Sequence, residues 1–300
     1  MPELPEVETI KEALKNSIID AQITSIIVRN RKFRESIPDD FENIFSNTKI
    51  IKIWRFAKYA ILDTDNGYSI IWHFGMSGKV RFLENHDTPL EKHDHVIFYT
   101  SKGIIAYNDA RRFGLMTYTK TSQIFTHHLF NNMGIDPFDK NFSAIYLLDK
   151  LKNKKTPIKT ALLDQRIING IGNIYASEAL YKAQISPIRE CCSLSKVELS
   201  YLVDAIREVL NNAIKAGGST LRDYRKPDGS TGYFQNQHCV YNKTGQRCPN
   251  CTCDIKITGG ITKINQAGRS TFYCKTLQKW GYNETTLYNF DVFMFSKHRI

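Results

Sequence analysis

The sequence predicts an α+β chain of several domains. An N-terminal helix lies on an antiparallel β-sandwich, a helical domain follows, and a zinc-finger-like β-hairpin closes the fold. Three observations carry this reading. From about residue 22 to 118, β-branched and aromatic runs are separated by turn dipeptides. Beyond residue 131 the apolar spacing becomes helical, and the cysteines crowd the C-terminal part. A length of 300 residues is enough for two modest or three small cores.

Residues 3–16 are expected to be helical, because Pro5 suits a first turn and Val7, Ile10 and Leu14 share one face. Strands follow at Ile50 to Trp54, Tyr59 to Leu62 and Tyr68 to Trp72, the last two joined by Asp65-Asn66-Gly67. Asn-Gly between β-rich runs is a strong hairpin signal, since both turn positions tolerate positive φ. A second hairpin is expected across Ser101-Lys102-Gly103. After a turn-rich stretch from Asn131 to Lys140 come helices. Ser195-Lys196-Val197-Glu198 has the spacing of a capping box, opening a helix to about Ala216 that Gly217-Gly218 ends. Residues 219–238, with Pro227, Gly229 and Gly232, are expected to form a mobile loop. A cysteine-bearing hairpin is expected from about 240 to 277. The domain boundaries are therefore 1–130, 131–238, 239–277 and a separate tail, 278–300.

Hydrophobic residues make up 42% and charged residues 24%, which is a soluble globular composition. No apolar run reaches bilayer length, and the acidic N-terminus lacks the apolar stretch of a secretory signal, so the expectation is a cytosolic protein. Lys and Arg outnumber Asp and Glu by 41 to 30, a surplus that suits a polyanion, DNA or RNA before membrane. An odd count of seven cysteines in such a chain points to metal before disulfides.

The chemistry-bearing residues begin at the terminus. Pro2 permits removal of the initiator Met and would leave a secondary amine, a nucleophile towards a sugar aldehyde carbon. Its iminium stays charged without a proton, and Glu3 beside it can move protons. Taken alone, Pro2 reads first as an ordinary second residue before a helix. The turn Asn169-Gly170-Ile171-Gly172-Asn173 fits either a plain helical hairpin, with Asn173 capping, or a phosphate site at a helix start. Upstream, Lys150, Lys152, Lys154, Lys155 and Lys159 read as a solvated run or as phosphate contacts. Met76 and Phe113 sit on turns, where apolar tips can wedge between base pairs or simply join a core, and Arg111 can fill a vacated base position. Cys248-Pro249-Asn250-Cys251 is half of a zinc site, but the position three after Cys274 holds Leu277.

Together these residues resemble the bacterial formamidopyrimidine-DNA glycosylases over about residues 1–274. The resemblance rests on Pro2 to Thr9, Lys58 in Ala57-Lys58-Tyr59, His73 to Gly78, Lys92-His93-Asp94-His95 and Arg111 to Gly114. It continues through Gly170 to Glu178, Gly232-Tyr233-Phe234 and Gly268 to Cys274. It implies a helix-two-turn-helix central domain and a base-excision glycosylase/AP lyase for oxidised purines (8-oxoguanine and formamidopyrimidines) in duplex DNA. A monomer working on nucleoid DNA, with no membrane role, is the implied setting. Pro2 would be the nucleophile, Glu3 the general acid/base and Lys58 a catalytic phosphate contact. His93, Arg111, Lys155, Asn173 and Arg269 would bind DNA, and Met76, Arg111 and Phe113 would fill the gap left by the everted nucleotide. A loop near Ser219 to Gln235 would cover the extruded base. One structural Zn2+ would sit on Cys248, Cys251 and Cys274.

The chain departs from the family pattern at four places. Ala110 stands where proline is usual, 22 residues separate Cys251 from Cys274, Leu277 replaces the fourth cysteine, and the tail runs on to Ile300. The coincidence of lost ligand and added tail suggests a reading frame changed after Cys274. Water, Cys253 or a side chain from elsewhere would complete the metal site. Two other functions stay open: a damage-binding protein with impaired catalysis, and a glycosylase for oxidised pyrimidines.

Overall fold

The computed structural model describes residues 2–220 and 229–279. The central part of the expected covering loop, 221–228, and the tail from 280 to 300 lie outside the described residues. Two compact units form. The first comprises Met1–Asp139, Gln165–Gly172 and Glu208–His238, and the second Lys140–Asp164, Asn173–Arg207 and the chain from Cys239.

In the first unit α1 spans Leu4–Ile18 and α2 Phe41–Phe45. The strands are β1 (Gln22–Val28), β2 (Thr48–Phe56), β3 (Tyr59–Thr64), β4 (Tyr68–His73), β5 (Lys79–Leu83), β6 (Asp94–Thr100), β7 (Gly103–Asn108) and β8 (Leu115–Lys120). They pair antiparallel in the order β5-β7-β6-β1-β2-β3-β4-β8. β1 and β2 share only the pairs Gln22↔Lys49 and Ile23↔Thr48, so the sheet folds there into two four-stranded layers. The sandwich core lies between them, with the Trp72 ring 5.1 Å from Tyr107 and 5.9 Å from Phe98. Both expected hairpins are present, and Gly67 takes φ 82°, where a side chain would strain the turn.

α1 begins with a capping box in which Glu3 and Glu6 each receive the other's backbone N–H. Its buried apolar face, Leu4, Val7, Ile10, Leu14 and Ile18, extends the predicted stripe by about a turn at each end. Strand β3 is buried at every position rather than at alternate ones. The reason is a second apolar cluster on its outer face, where Tyr59, Ile61 and Ile71 pack with Ile124 and Phe130.

The second unit holds α3 (Ala144–Leu151), α4 (Ile158–Leu162), α5 (Asn173–Lys182) and the start of α6 (Lys196–Lys215). The capping box at α6 forms as predicted: Ser195 N donates to Glu198 Oε2 at 2.8 Å and Glu198 N to Ser195 Oγ at 3.2 Å. The helix stops where Gly217 and Gly218 take φ 73° and 80°, and Gly218 N reaches back to Ala213 O at 2.8 Å. The C-terminal hairpin is narrower than expected. Only β9 (Thr262–Gln266) and β10 (Arg269–Tyr273) pair, and a short helix α7 (Ile255–Thr258), capped by Asp254 and ended by Gly259 at φ 72°, fills the span before them. Packing continues past Cys274: Gln278 is buried, accepts from Cys274 N and donates to Ile185 O, both at 2.9 Å.

Candidate functional site

In the first unit the chain start is fixed by its neighbours. Pro2 and Glu3 are buried; Glu3 N donates to Glu6 Oε2 at 2.9 Å and Leu4 N to Gly170 O at 3.1 Å. Glu6 uses its other oxygen to accept from Ser219 N at 2.7 Å. The glycines of the Gly170-Ile171-Gly172 turn therefore have a second reason beyond turning. A Cβ at Gly170 would press on the Leu4 side chain, and one at Gly172 would overlap the Glu3 carboxyl group. Between them, Ile171 O accepts from Lys58 Nζ at 2.9 Å and from Gln165 Nε2 at 2.9 Å. One short turn thus gathers Glu3, Leu4 and a buried ammonium, directly beside the buried Pro2 in sequence.

The wedge candidates sit on two touching loops of the same unit. Met76 and Phe113 are 39% and 47% exposed, which is unusual for large apolar side chains and leaves both tips free to enter a stack. The Arg111 guanidinium lies over the Phe113 ring, 4.6 Å from its centroid. Gly75, at φ 61°, has no room for a side chain because the backbone of Phe113 and Gly114 passes against it.

The residue that ties these loops is Asp109, which is fully buried. Its carboxylate accepts from Ser77 Oγ at 2.5 Å, Gly114 N at 2.9 Å, Arg111 N at 3.3 Å and Tyr107 OH at 3.3 Å. Ala110 is exposed beside it. His93 is half-buried and hands its carbonyl to Asp109 N at 3.1 Å, so it belongs to the base of this loop. His73 accepts from Gly75 N through Nδ1 at 3.0 Å. Burial, with Arg34 and Lys58 nearby, lowers the His73 pKa to about 3, so the ring is neutral and the Nδ1 acceptor is kept.

In the second unit Asn173 opens α5, but its side chain reaches across to the hairpin. Nδ2 donates to Ser270 O at 2.9 Å and to Tyr241 OH at 3.3 Å, and Oδ1 accepts from Lys159 Nζ at 2.5 Å. Lys159 departs from the solvated run around it: it is wholly buried and also donates to Thr271 Oγ1 at 2.8 Å and Ser270 O at 3.2 Å. Arg269, next in sequence to Ser270, is exposed, and so is Lys155. Asn173 and the root of Arg269 are thus brought together, while Lys155 stands on the turn before α4. Glu178, also buried, accepts from the N–H groups of Cys239, Val240 and Tyr241 at 2.8, 3.0 and 2.7 Å. Burial raises its pKa although those three bonds oppose the shift.

The sulfurs of Cys248, Cys251 and Cys274 all lie within 4.8 Å of one another. Sulfurs sharing a zinc ion at ~2.3 Å stand ~3.8 Å apart in a tetrahedron, and the Cys251 and Cys274 sulfurs are 3.8 Å apart. Leu277 N donates to Cys274 Sγ at 3.4 Å, the backbone bond of a metal knuckle. With the bond from Cys251 to Cys253 reduced, three thiolates in this geometry fit a zinc ion. Cys253 is disulfide-bonded to Cys251, and the Leu277 side chain packs into the apolar cluster around Tyr181, Val240 and Cys248.

Sequence reasoning missed Glu6, Asp109, Lys159 and Glu178. Glu6 carried a signal, since Glu3 and Glu6 have capping-box spacing. Glu178 is set by contacts about sixty residues away, Lys159 by partners 14 to 112 residues away, and Asp109 by its own loop together with Ser77.

Comparison with known proteins agrees with this geometry. The family model described as the formamidopyrimidine-DNA glycosylase N-terminal domain matches residues 1–116, and the H2TH domain model of the same enzyme matches residues 133–225. The chain is 42% identical over 282 residues to the formamidopyrimidine-DNA glycosylase of Rhodospirillum rubrum, covering 93% of this chain and 100% of that protein. With the Rickettsia africae protein of that name the figures are 44% over 279 residues, 93% and 99%. Among solved structures, a Lactococcus lactis FPG mutant in complex with Fapy-dG containing DNA superposes with a TM-score of 0.85 at 35% identity, covering 93% of this chain and 100% of that one. The MutM (FPG) protein of Thermus thermophilus gives a TM-score of 0.81 at 32% identity, with 94% and 100% covered.

Proposed function

The chain belongs to the formamidopyrimidine-DNA glycosylase family of base-excision enzymes for oxidised purines, and from that premise we propose how its own residues carry the glycosylase and AP lyase steps. With the initiator Met removed, the neutral Pro2 nitrogen attacks C1′ of the damaged nucleotide and the base leaves, taking up a proton. The nitrogen loses its own proton, the C1′–O4′ bond then breaks, O4′ takes up a proton, and the nitrogen lone pair forms the C1′ iminium of the opened sugar. The resulting iminium draws electrons from C2′, so a proton is lost there and the 3′ phosphate departs, followed by the 5′ phosphate. Glu3 moves the protons at the sugar. Lys58, Asn173 and Arg269 hold the backbone phosphates flanking the lesion, with His93 and Lys155 as further DNA contacts. Met76, Arg111 and Phe113 occupy the gap in the duplex, because C1′ cannot be attacked inside a stack.

The observation that carries this reading is the convergence of Glu3, which follows Pro2 in the chain, and of the Lys58 ammonium on the Gly170–Gly172 turn. Borohydride trapping on an 8-oxoguanine duplex tests it. Wild type should give a covalent protein–DNA adduct, and a variant with one residue added before Pro2, whose nitrogen is then an amide, should give none. An adduct that survives the extension refutes the role of Pro2.

Cys248, Cys251 and Cys274 hold one structural zinc in this reading, and Cys248 to Cys274 keep the segment bearing Arg269 folded. The working partner is duplex DNA containing oxidised purines or abasic sites, bound by a monomer. A Lactococcus lactis Fpg has been solved with an oxidized pyrimidine containing DNA, so the lesion panel for this chain should include one.

A further inference from the structure

The zinc reading leaves one place in the coordination shell to be filled, and the residue at the expected position cannot fill it. Leu277 has no donor atom, and its side chain is half-buried against Tyr181, Val240 and Cys248. The turn that carries it is nevertheless intact: Leu277 N still bonds Cys274 Sγ at 3.4 Å, and Gln278 is locked on both sides of its amide. The knuckle has kept its backbone and lost its sulfur.

We propose that Cys253 supplies the missing thiolate, so that the finger is a Cys248, Cys251, Cys253, Cys274 site. Cys253 Sγ is bonded to Cys251 Sγ, which puts a fourth sulfur directly on the edge of the three-cysteine group. The two Cα atoms are 5.5 Å apart. A side-chain rotation at Cys253 takes the sulfurs to the ~3.8 Å separation of two thiolates on one zinc. The disulfide and the metal site exclude each other. A dithiol reductant supplies two electrons and two protons to give the two thiols, itself closing to a disulfide; zinc then displaces the thiol protons. The other cysteine in this cluster, Cys239, has its backbone N–H held by Glu178.

The inference rests on the zinc reading and is tested on the full chain, reduced with dithiothreitol and loaded with Zn2+ or Co2+. Wild type should bind about one metal ion per chain and show the visible cobalt bands of a four-thiolate tetrahedron. Cys253→Ser should shift those bands, lose thiolate-to-cobalt charge-transfer intensity and bind zinc at least about tenfold more weakly in chelator competition. Cys239→Ser and Cys192→Ser should match wild type. A wild-type cobalt spectrum and affinity in Cys253→Ser overturn the assignment while leaving the zinc site standing, as does a change seen with Cys239→Ser instead. Absence of metal from the reduced wild-type chain overturns both the assignment and the zinc reading.

Discussion

Replacing Asp109 by Asn should uncouple the wedge from the chemistry. The carboxylate is buried and receives four donors, two on each oxygen: Ser77 Oγ and Arg111 N on Oδ1, Gly114 N and Tyr107 OH on Oδ2. An amide has the same shape but turns one of those oxygens into a donor. Whichever way it lies, one backbone N–H of the Arg111 to Gly114 loop faces an N–H instead of an acceptor. A buried donor left unmade costs about 1–3 kcal/mol, the lower end applying to Arg111 N because it keeps Ser77 Oγ as an acceptor at 3.2 Å, and the remaining bonds lose their charge assistance, about 1 kcal/mol more. The closed form of the loop is thus weakened by about 2–4 kcal/mol, equivalent to a factor of about 30 to 1,000 if that form must be reached before the base is everted. Single-turnover excision from an 8-oxoguanine duplex should fall within that range. Cleavage of a preformed abasic site, which has no base to unstack, should fall at least about tenfold less. Rates within about threefold of wild type on both substrates, or an equal fall on both with an unchanged melting temperature, would refute the wedge-holding role.

Lys159→Met removes the shared donor of Asn173 Oδ1, Thr271 Oγ1 and Ser270 O. Bonds to a charged donor are worth about 1.5–3 kcal/mol each, so fluorescence anisotropy should show at least about tenfold weaker binding to abasic-site duplex, with trapping at saturating enzyme little changed. His73 has its pKa lowered from 6.5 to about 3 on folding, so between those values the unfolded chain binds a proton that the folded chain does not, and stability must rise with pH. Urea unfolding should therefore lose about 1.4 kcal/mol per pH unit below about pH 6 from this group, a slope that His73→Gln removes; an unaltered slope contradicts it. Lys58 keeps a positive charge near the turn that anchors the terminus, which favours the neutral amine. In Lys58→Ala the acid limb of the borohydride-trapping profile should move to higher pH, and an unmoved limb sinks the idea.

Local signals carried most of the fold. Asn66-Gly67, the Ser195/Glu198 box and the Gly217-Gly218 stop each act within a few residues, and each appears where the pattern placed it. What escaped depends on contacts between distant segments. Lys159 looks like Lys152, Lys154 and Lys155 in sequence, yet it lies inside α4 and is buried against Asn173, 14 residues on, and Ser270 and Thr271, more than a hundred residues away. Asp109 reads as a turn acid until Ser77 and Gly114 are seen to converge on it. The paired hairpin, Thr262–Gln266 with Arg269–Tyr273, is shorter than the cysteine-bounded segment because cysteine spacing marks where ligands lie and not which residues pair. The proposed role of the terminus rests on the motif, not on the physics of Pro2 alone.

An N-terminal nucleophile faces a difficulty that the resemblance does not explain: chain ends fray, and ordering a residue costs about 1–2 kcal/mol in backbone entropy. Here the cost is offset by bonds that treat the terminus as an interior segment. Glu6 is central to this, because one carboxylate binds both Glu3 N and Ser219 N and so joins the start of α1 to the turn that ends α6. Gly218, at φ 80°, leaves space for that carboxylate, and a Cβ there would press on it. Gly172 does the same for Glu3, and Gly170 for Leu4. Three glycines, spread over two turns far from the terminus in sequence, are therefore required by residues 3, 4 and 6. Their lack of side chains lets the chain start be packed tightly enough for its amine to hold a fixed direction, which is the physical condition for a terminal proline to act as a nucleophile at all.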